Sequence, residues 1–133
     1  MGKLESMRGD LPTALVHGVA DSEIGIIGYG ANTGPITEAV DRLGRAGLPV
    51  RFLQLRTLWP FPEDEVRAFF RGAQHVFVVE NNFTGQLERL IRYVVGPLDV
   101  LHSVRKYDGR PFRPIEVIEQ VRRFAAAGEL AEV

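Results

Sequence analysis

Residues 75–96, HVFVVENNFTGQLERLIRYVVG, carry an apolar run directly into a carboxylate and two amides, Glu80, Asn81 and Asn82. At the end of a buried strand, a carboxylate is a candidate general base and the amides are candidate donors to a developing negative charge. The same residues also read as a turn. The carboxylate would accept charge-assisted hydrogen bonds from loop N–H groups, Thr84 would cap the following helix, and Gly85 would permit a close approach. We favour the turn, which would present Phe83, Gln86 and the nearby Trp59 to a partner surface.

A second candidate is GYGANTG, which places Gly28, Gly30 and Gly34 between a strand and a helix. Backbone N–H groups and a helix dipole could cradle a phosphate there. The spacing is one residue longer than the dinucleotide fingerprint, and the next strand ends in Gln54-Leu55-Arg56 with no ribose-binding acid. The plainer reading is glycine used for a tight strand–helix turn. An Asn-Asn pair also ends the metal motif of thiamine-diphosphate proteins, but the Gly-Asp-Gly needed upstream is absent. His17, His75 and His102 fall on different segments without a ligand cluster, so no metal site is expected. No serine sits in a G-x-S-x-G elbow. With no cysteine, the chain offers no disulfide, thiol nucleophile or iron–sulfur ligation.

Two further stretches suit partners better than reactions. RTLWPFPEDE sets Trp59 and Phe61 among prolines, either as an interface anchor or as a plug for the end of the core. RKYDGRPFRP gathers Lys and Arg around Tyr107 and Phe112, and reads as a connecting loop or as a seat for an acidic group.

These motifs need elements to hold them. Short apolar strands alternate with helical stripes: Ile36, Ala39, Val40 and Leu43; Val66, Phe69 and Phe70; Leu87, Leu90, Ile91, Val94 and Val95; Val117, Ile118, Val121 and Ala125. Thr33 is a candidate helix cap, Pro35 suits a first turn and Gly47 a stop. The pattern predicts an α/β sandwich with a mostly parallel sheet, whose inner strands are 24–28, 50–55, 75–79 and 100–104. Residues 13–19 would add an antiparallel edge strand. We expect a flexible lead-in at 1–12, one domain at 13–128 and a tail at 129–133. The chain has 133 residues and a formal net charge of −1, with no basic block, which argues against nucleic acid as a partner. No stretch reaches 18 apolar residues, so no membrane span is expected, and a cytoplasmic location is consistent with the composition.

GYGANTGPITEAVDRLGRAGLPVRFLQLRTLWPFPEDEV, HVFVVENNFTGQLERLIR and KYDGRPF, in this order and spacing, resemble one family. It is the C-terminal domain of the alpha subunit of 2-oxoacid:ferredoxin oxidoreductases of the 2-oxoglutarate type, and the similarity covers roughly residues 23–118. The resemblance implies a transketolase C-terminal-like fold, a three-layer α/β/α sandwich whose five-stranded sheet has one antiparallel strand. It implies a parent complex that uses thiamine diphosphate, magnesium and iron–sulfur clusters to convert a 2-oxoacid and CoA to acyl-CoA and carbon dioxide, reducing ferredoxin. Those cofactors would be held mainly by other domains and the beta subunit.

The resulting expectation is a non-catalytic interface domain with no cofactor of its own, docked on the rest of the alpha subunit and on the beta subunit, and meeting ferredoxin only indirectly. Its interface residues would be Trp59, Phe61, Glu80, Asn81, Asn82, Phe83 and Gln86. In isolation a homodimer is an open arrangement. The alternative is a small-molecule-binding domain that holds the phosphates of CoA or a nucleotide on Gly28, Gly30 and Gly34, helped by Arg56 and Arg110.

Overall fold

The computed structural model describes residues 13–81, 85–106 and 110–132, with side chains through 125. The expected lead-in, Asn82, Phe83, Thr84 and Tyr107 lie outside these residues. Five strands are present: β1 (Ala14–Gly18), β2 (Ile24–Tyr29), β3 (Arg51–Leu55), β4 (His75–Glu80) and β5 (Leu101–Arg105). Four α-helices join them: α1 (Thr33–Arg45), α2 (Glu63–Phe70), α3 (Gln86–Val95) and α4 (Pro114–Glu132). A 3₁₀ turn, Gly30–Asn32, leads into α1.

The strands form one sheet in the order β1-β3-β2-β4-β5. β1 runs antiparallel to β3 and every other pairing is parallel. The expected antiparallel edge strand is therefore present. Its neighbour is β3, because the connection from β1 leads into the centre of the sheet. One expectation is corrected: β5 is an edge strand, not an inner one. Only Leu101 and Val104 of its five residues are buried, which suits a strand with a solvated flank, whereas Ile24 through Gly28 of β2 are all buried.

Alternation along the strands builds the two core layers. Ile26, Phe52 and Phe77 face one side, where Ile36 and Val40 of α1 and Val117 and Val121 of α4 cover them. Ile27, Leu53 and Val78 face the other, beneath Val66 and Phe69 of α2 and Leu87 and Ile91 of α3. The result is the three-layer α/β/α sandwich. Gly28 belongs to this packing, since a Cβ on it would lie 2.5 Å from Ile36 Cδ1.

Candidate functional site

Parallel strands point their carboxyl ends the same way, so the loops after β2, β3 and β4 share one rim with the loop after β5. β2 is followed by β3 on one flank and β4 on the other. The crevice between β2 and β4 is therefore the topological switch point, where doubly wound sheets bind ligands. Here it is a shallow cleft of about 190 Å³ lined by Tyr29, Gly30, Ala31, Asn32, Glu80 and Asn81.

Glu80 ends β4 and is only 2% exposed. Its Oε1 accepts the N–H of Leu87 at 2.9 Å and its Oε2 the N–H of Glu88 at 3.1 Å. These are first-turn donors of α3, which a helix cannot satisfy internally. The residue at the cap position is Gly85, left-handed at φ 63°, which has no side chain to offer. Glu80 supplies the missing cap from the strand, as an anion at the positive end of the helix. A Cβ on Gly85 would meet Arg105 Nη1 at 2.8 Å, so the close approach foreseen there is real.

The amides form a chain of their own. Phe112 N–H donates to Asn32 Oδ1 at 2.9 Å, Asn32 Nδ2 donates to Asn81 Oδ1, and Asn81 Nδ2 donates to the Arg110 carbonyl. The chain thus starts and ends on the loop after β5, and it clasps the loops after β2, β4 and β5 together. Asn32 is 4% exposed. Sequence reading missed it, treating Thr33 as the cap of α1. Thr33 is instead the first residue of α1, and Asn32, at the cap position, makes no side-chain cap. The available signal was a polar side chain between a glycine-rich turn and a helix start, with no cap left for it to make.

The residues of the supposed phosphate cradle separate. Gly28 is explained by Ile36, Gly30 takes φ +67°, and Gly34 has open space around it. Arg56 is exposed beyond β3, and its backbone N–H reaches the Thr13 carbonyl at 2.8 Å. Arg110 lines a different cleft, with Lys106, Pro111, Arg113 and Glu116. The aromatic pair also divides. Phe61 packs against the core while Trp59 is 74% exposed, its backbone held by the Thr57 hydroxyl. Gln86 is exposed at the start of α3.

His75 and His102 were read as unrelated, yet adjacent strands bring His75 Nδ1 within 3.0 Å of His102 Nε2. Among the described residues no group of three or more His, Cys, Asp or Glu is placed to hold a metal ion. No helix of the described residues is long and apolar enough to cross a membrane.

Comparison with known proteins agrees with this architecture. The chain is 33% identical over 126 residues to 2-oxoacid:ferredoxin oxidoreductase 2, subunit alpha, of Aeropyrum pernix, covering 95% of this chain and 20% of that one. The 2-oxoglutarate:ferredoxin oxidoreductase from Magnetococcus marinus, solved with 2-oxoglutarate, coenzyme A and succinyl-CoA bound, superposes with a TM-score of 0.76 at 31% identity. That match covers 91% of this chain and 21% of that one. A split-gene transketolase, an inactive beta4 tetramer, shares the fold at a TM-score of 0.67 and 17% identity, covering 83% of this chain and 40% of that one. The chain spans about a fifth of the length of the oxidoreductase subunits it matches. Residues 22–117 match the family model for the pyruvate:ferredoxin oxidoreductase core domain II, and the chain belongs to that family.

Proposed function

We propose that this domain is a non-catalytic docking piece of a thiamine-diphosphate-dependent 2-oxoacid:ferredoxin oxidoreductase, which joins the rest of an alpha subunit to a beta subunit in the cytoplasm. One observation carries the reading. At the switch point the polar groups that could do chemistry are engaged internally, Glu80 on α3 and Asn32 and Asn81 on each other and on the next loop, while Trp59 stands exposed on the same rim. A buried carboxylate with each oxygen accepting a helix N–H is occupied in holding the start of α3. A large exposed aromatic is the kind of anchor that interfaces bury.

The cleft of about 190 Å³ is smaller than the roughly 300–1,000 Å³ of small-molecule sites. Among the described residues no group of three or more His, Cys, Asp or Glu is placed to hold magnesium, and the chain has no cysteine for a cluster. This supports placing the cofactors, and the electron transfer to ferredoxin, elsewhere in the assembly.

The test is Trp59→Ser in the complete alpha subunit expressed with its beta subunit, with assembled and free subunits separated by size. The expected result is a several-fold smaller assembled fraction and near-normal turnover per assembled particle. Unchanged assembly with activity down by about a hundredfold, the scale of a lost general acid or base, would overturn the docking role.

A further inference from the structure

The sheet has two edges, β1 and β5, and they are finished differently. β5 carries Arg105, which pairs with Glu88 at 3.6 Å and donates to Ser103 Oγ at 2.9 Å. A charged side chain on an edge strand discourages the addition of another strand. β1 is ALVHG, with no Asp, Glu, Lys, Arg or Pro. Its bonding pattern follows from its ends. Arg56 N–H donates to the Thr13 carbonyl at 2.8 Å and Val19 N–H to the Val50 carbonyl at 3.1 Å, so residues 13 and 19 turn toward β3. Antiparallel pairs alternate between bonded and non-bonded. In the observed register Leu15 and His17 therefore also bond to β3, while Ala14, Val16 and Gly18 turn their N–H and C=O groups outward. Among the described residues no strand lies beyond β1, Val16 is 54% exposed and Gly18 is exposed.

The outward groups are symmetric about Val16. If two β1 strands run antiparallel with Val16 opposite Val16 and Ala14 opposite Gly18, each of these pairs exchanges both its N–H···O=C bonds. Ala14 and Gly18 are small and leave room for the approach. The intervening non-bonded pairs, where side chains come closest, set Leu15 against the other copy's His17, an apolar–aromatic contact of the kind that stabilises sheets. His17 is already held for it, stacked on Phe52 at 5.6 Å with Nε2 2.8 Å from Gln54 Oε1. No pair in this register opposes two like-charged acids or bases. We infer that β1 is a self-complementary interface through which two copies of this chain join, centred on Val16, into one continuous sheet about a two-fold axis. Strand addition at one edge buries little area, so the dimer is weak and concentration-dependent. The interface uses none of the residues assigned to the docking role.

The experiment is sedimentation of the full chain from micromolar to millimolar concentration, with amide exchange followed at both ends of that range. The expected result is a reversible monomer–dimer equilibrium in which the N–H groups of Ala14, Val16 and Gly18 gain protection as the dimer forms. Val16→Pro removes the central outward N–H and no bond to β3, and proline is tolerated on an edge strand. Val16→Lys sets two like charges opposite each other at the centre of the interface, which is destabilising. Each should weaken dimerisation about tenfold or more, while Trp59→Ser should leave it unchanged. If the proline variant does not fold, the lysine variant decides. A chain that stays monomeric at every concentration overturns the proposal, and so does a dimer that a folded Val16 variant leaves intact. Protection that appears along β5 instead of β1 overturns it as well. So does protection of Val16 in a complete alpha subunit shown to be monomeric, which would assign the edge to another strand of the same subunit.

Discussion

At the carboxyl end of the sheet Glu80 is 2% exposed and both its oxygens are paired. At the amino end Arg51 is 7% exposed and its Nε has no hydrogen-bond partner. Both residues serve helix termini. Glu80 accepts two N–H groups at the start of α3, and Arg51 donates to the Arg71 carbonyl just past the end of α2 at 3.1 Å. Each charge has the sign that complements the helix dipole it faces. They differ in completeness. The Arg51 bond to the Ala20 carbonyl is 3.3 Å long, its guanidinium rests on the Phe69 ring at 4.8 Å, and burial lowers its pKa, opposed by Asp21. A fully paired charge locks a geometry. A partly paired one mainly fills space and shields the ends of two loops. The paired carboxylate thus holds the start of α3 more completely than Arg51 holds the two loops it reaches.

That contrast predicts unequal costs. Glu80→Ala leaves two helix N–H groups without their acceptor, and charge-assisted hydrogen bonds contribute about 1.5–3 kcal/mol each. We expect a loss of about 3 kcal/mol or more in denaturant unfolding of the full chain, with Glu80→Gln retaining part of it. A loss below about 1 kcal/mol would mean that the loop holds without its carboxylate, and the contrast would collapse.

The glycines of β2 give the next largest effect. A Cβ on Gly25 would sit 2.6 Å from Phe69 Cε2, and one on Gly28 would sit 2.5 Å from Ile36 Cδ1. A ring edge yields less than the tip of an isoleucine. Gly25→Ala should therefore cost about 2–3 kcal/mol and Gly28→Ala less, within the range for overpacking. Gly34, with open space in the first turn of α1, should tolerate Ala or gain up to about 1 kcal/mol. Gly25→Ala also displaces the ring beneath Arg51, so combining it with an Arg51 variant should be non-additive.

Arg51→Met sharpens the comparison from the amino end. A hydrophobic residue of similar length keeps the contact with Phe69 and removes an incompletely paired buried charge, a change that is often close to neutral. The expected cost is about 1 kcal/mol or less, read from the same denaturation curves. A cost equal to that of Glu80→Ala would show that Arg51 holds its loops as completely as Glu80 holds α3.

Much of this was legible in the chain because it is local. The stripe Ile36, Ala39, Val40 and Leu43 is buried throughout, as are Val117, Ile118, Val121 and Ala125, since helical periodicity reports which face is covered. That Glu80 accepts backbone hydrogen bonds was legible too, but its donors are first-turn N–H groups of α3, not the loop N–H groups expected. The clasp was not. Asn32 lies 49 residues from Asn81 and 80 from Phe112, and no local pattern encodes such a pairing. The same applies to the edge position of β5, which depends on strand order. It applies again to the histidines, which meet only because the register sets Phe77 opposite His102.

That histidine pair supplies the smallest effect and the one that depends on pH. His102 is stacked on Phe124 at 4.4 Å and Phe77 at 4.9 Å, with His75 on its ring nitrogen. Burial first, and the neighbouring His75 charge second, lower its pKa from the ordinary imidazole value. The unfolded chain then binds more protons than the folded one just below about pH 6.5. Stability therefore falls as pH drops through that value, and the dependence ends once His102 is protonated in both states. The pair sits in the amino half of the sheet, beside β5 and α4, so acid should loosen that half first. The measurement is the denaturation midpoint across pH 5 to 8 for the parent chain and for His102→Phe. The parent should weaken below about pH 6.5 and the variant should lose most of that slope. Amide exchange should rise in β5 before it rises in the loop held by Glu80. If exchange instead rises first around residues 85–88, the carboxyl end is the weaker one, and the order of the two ends is reversed.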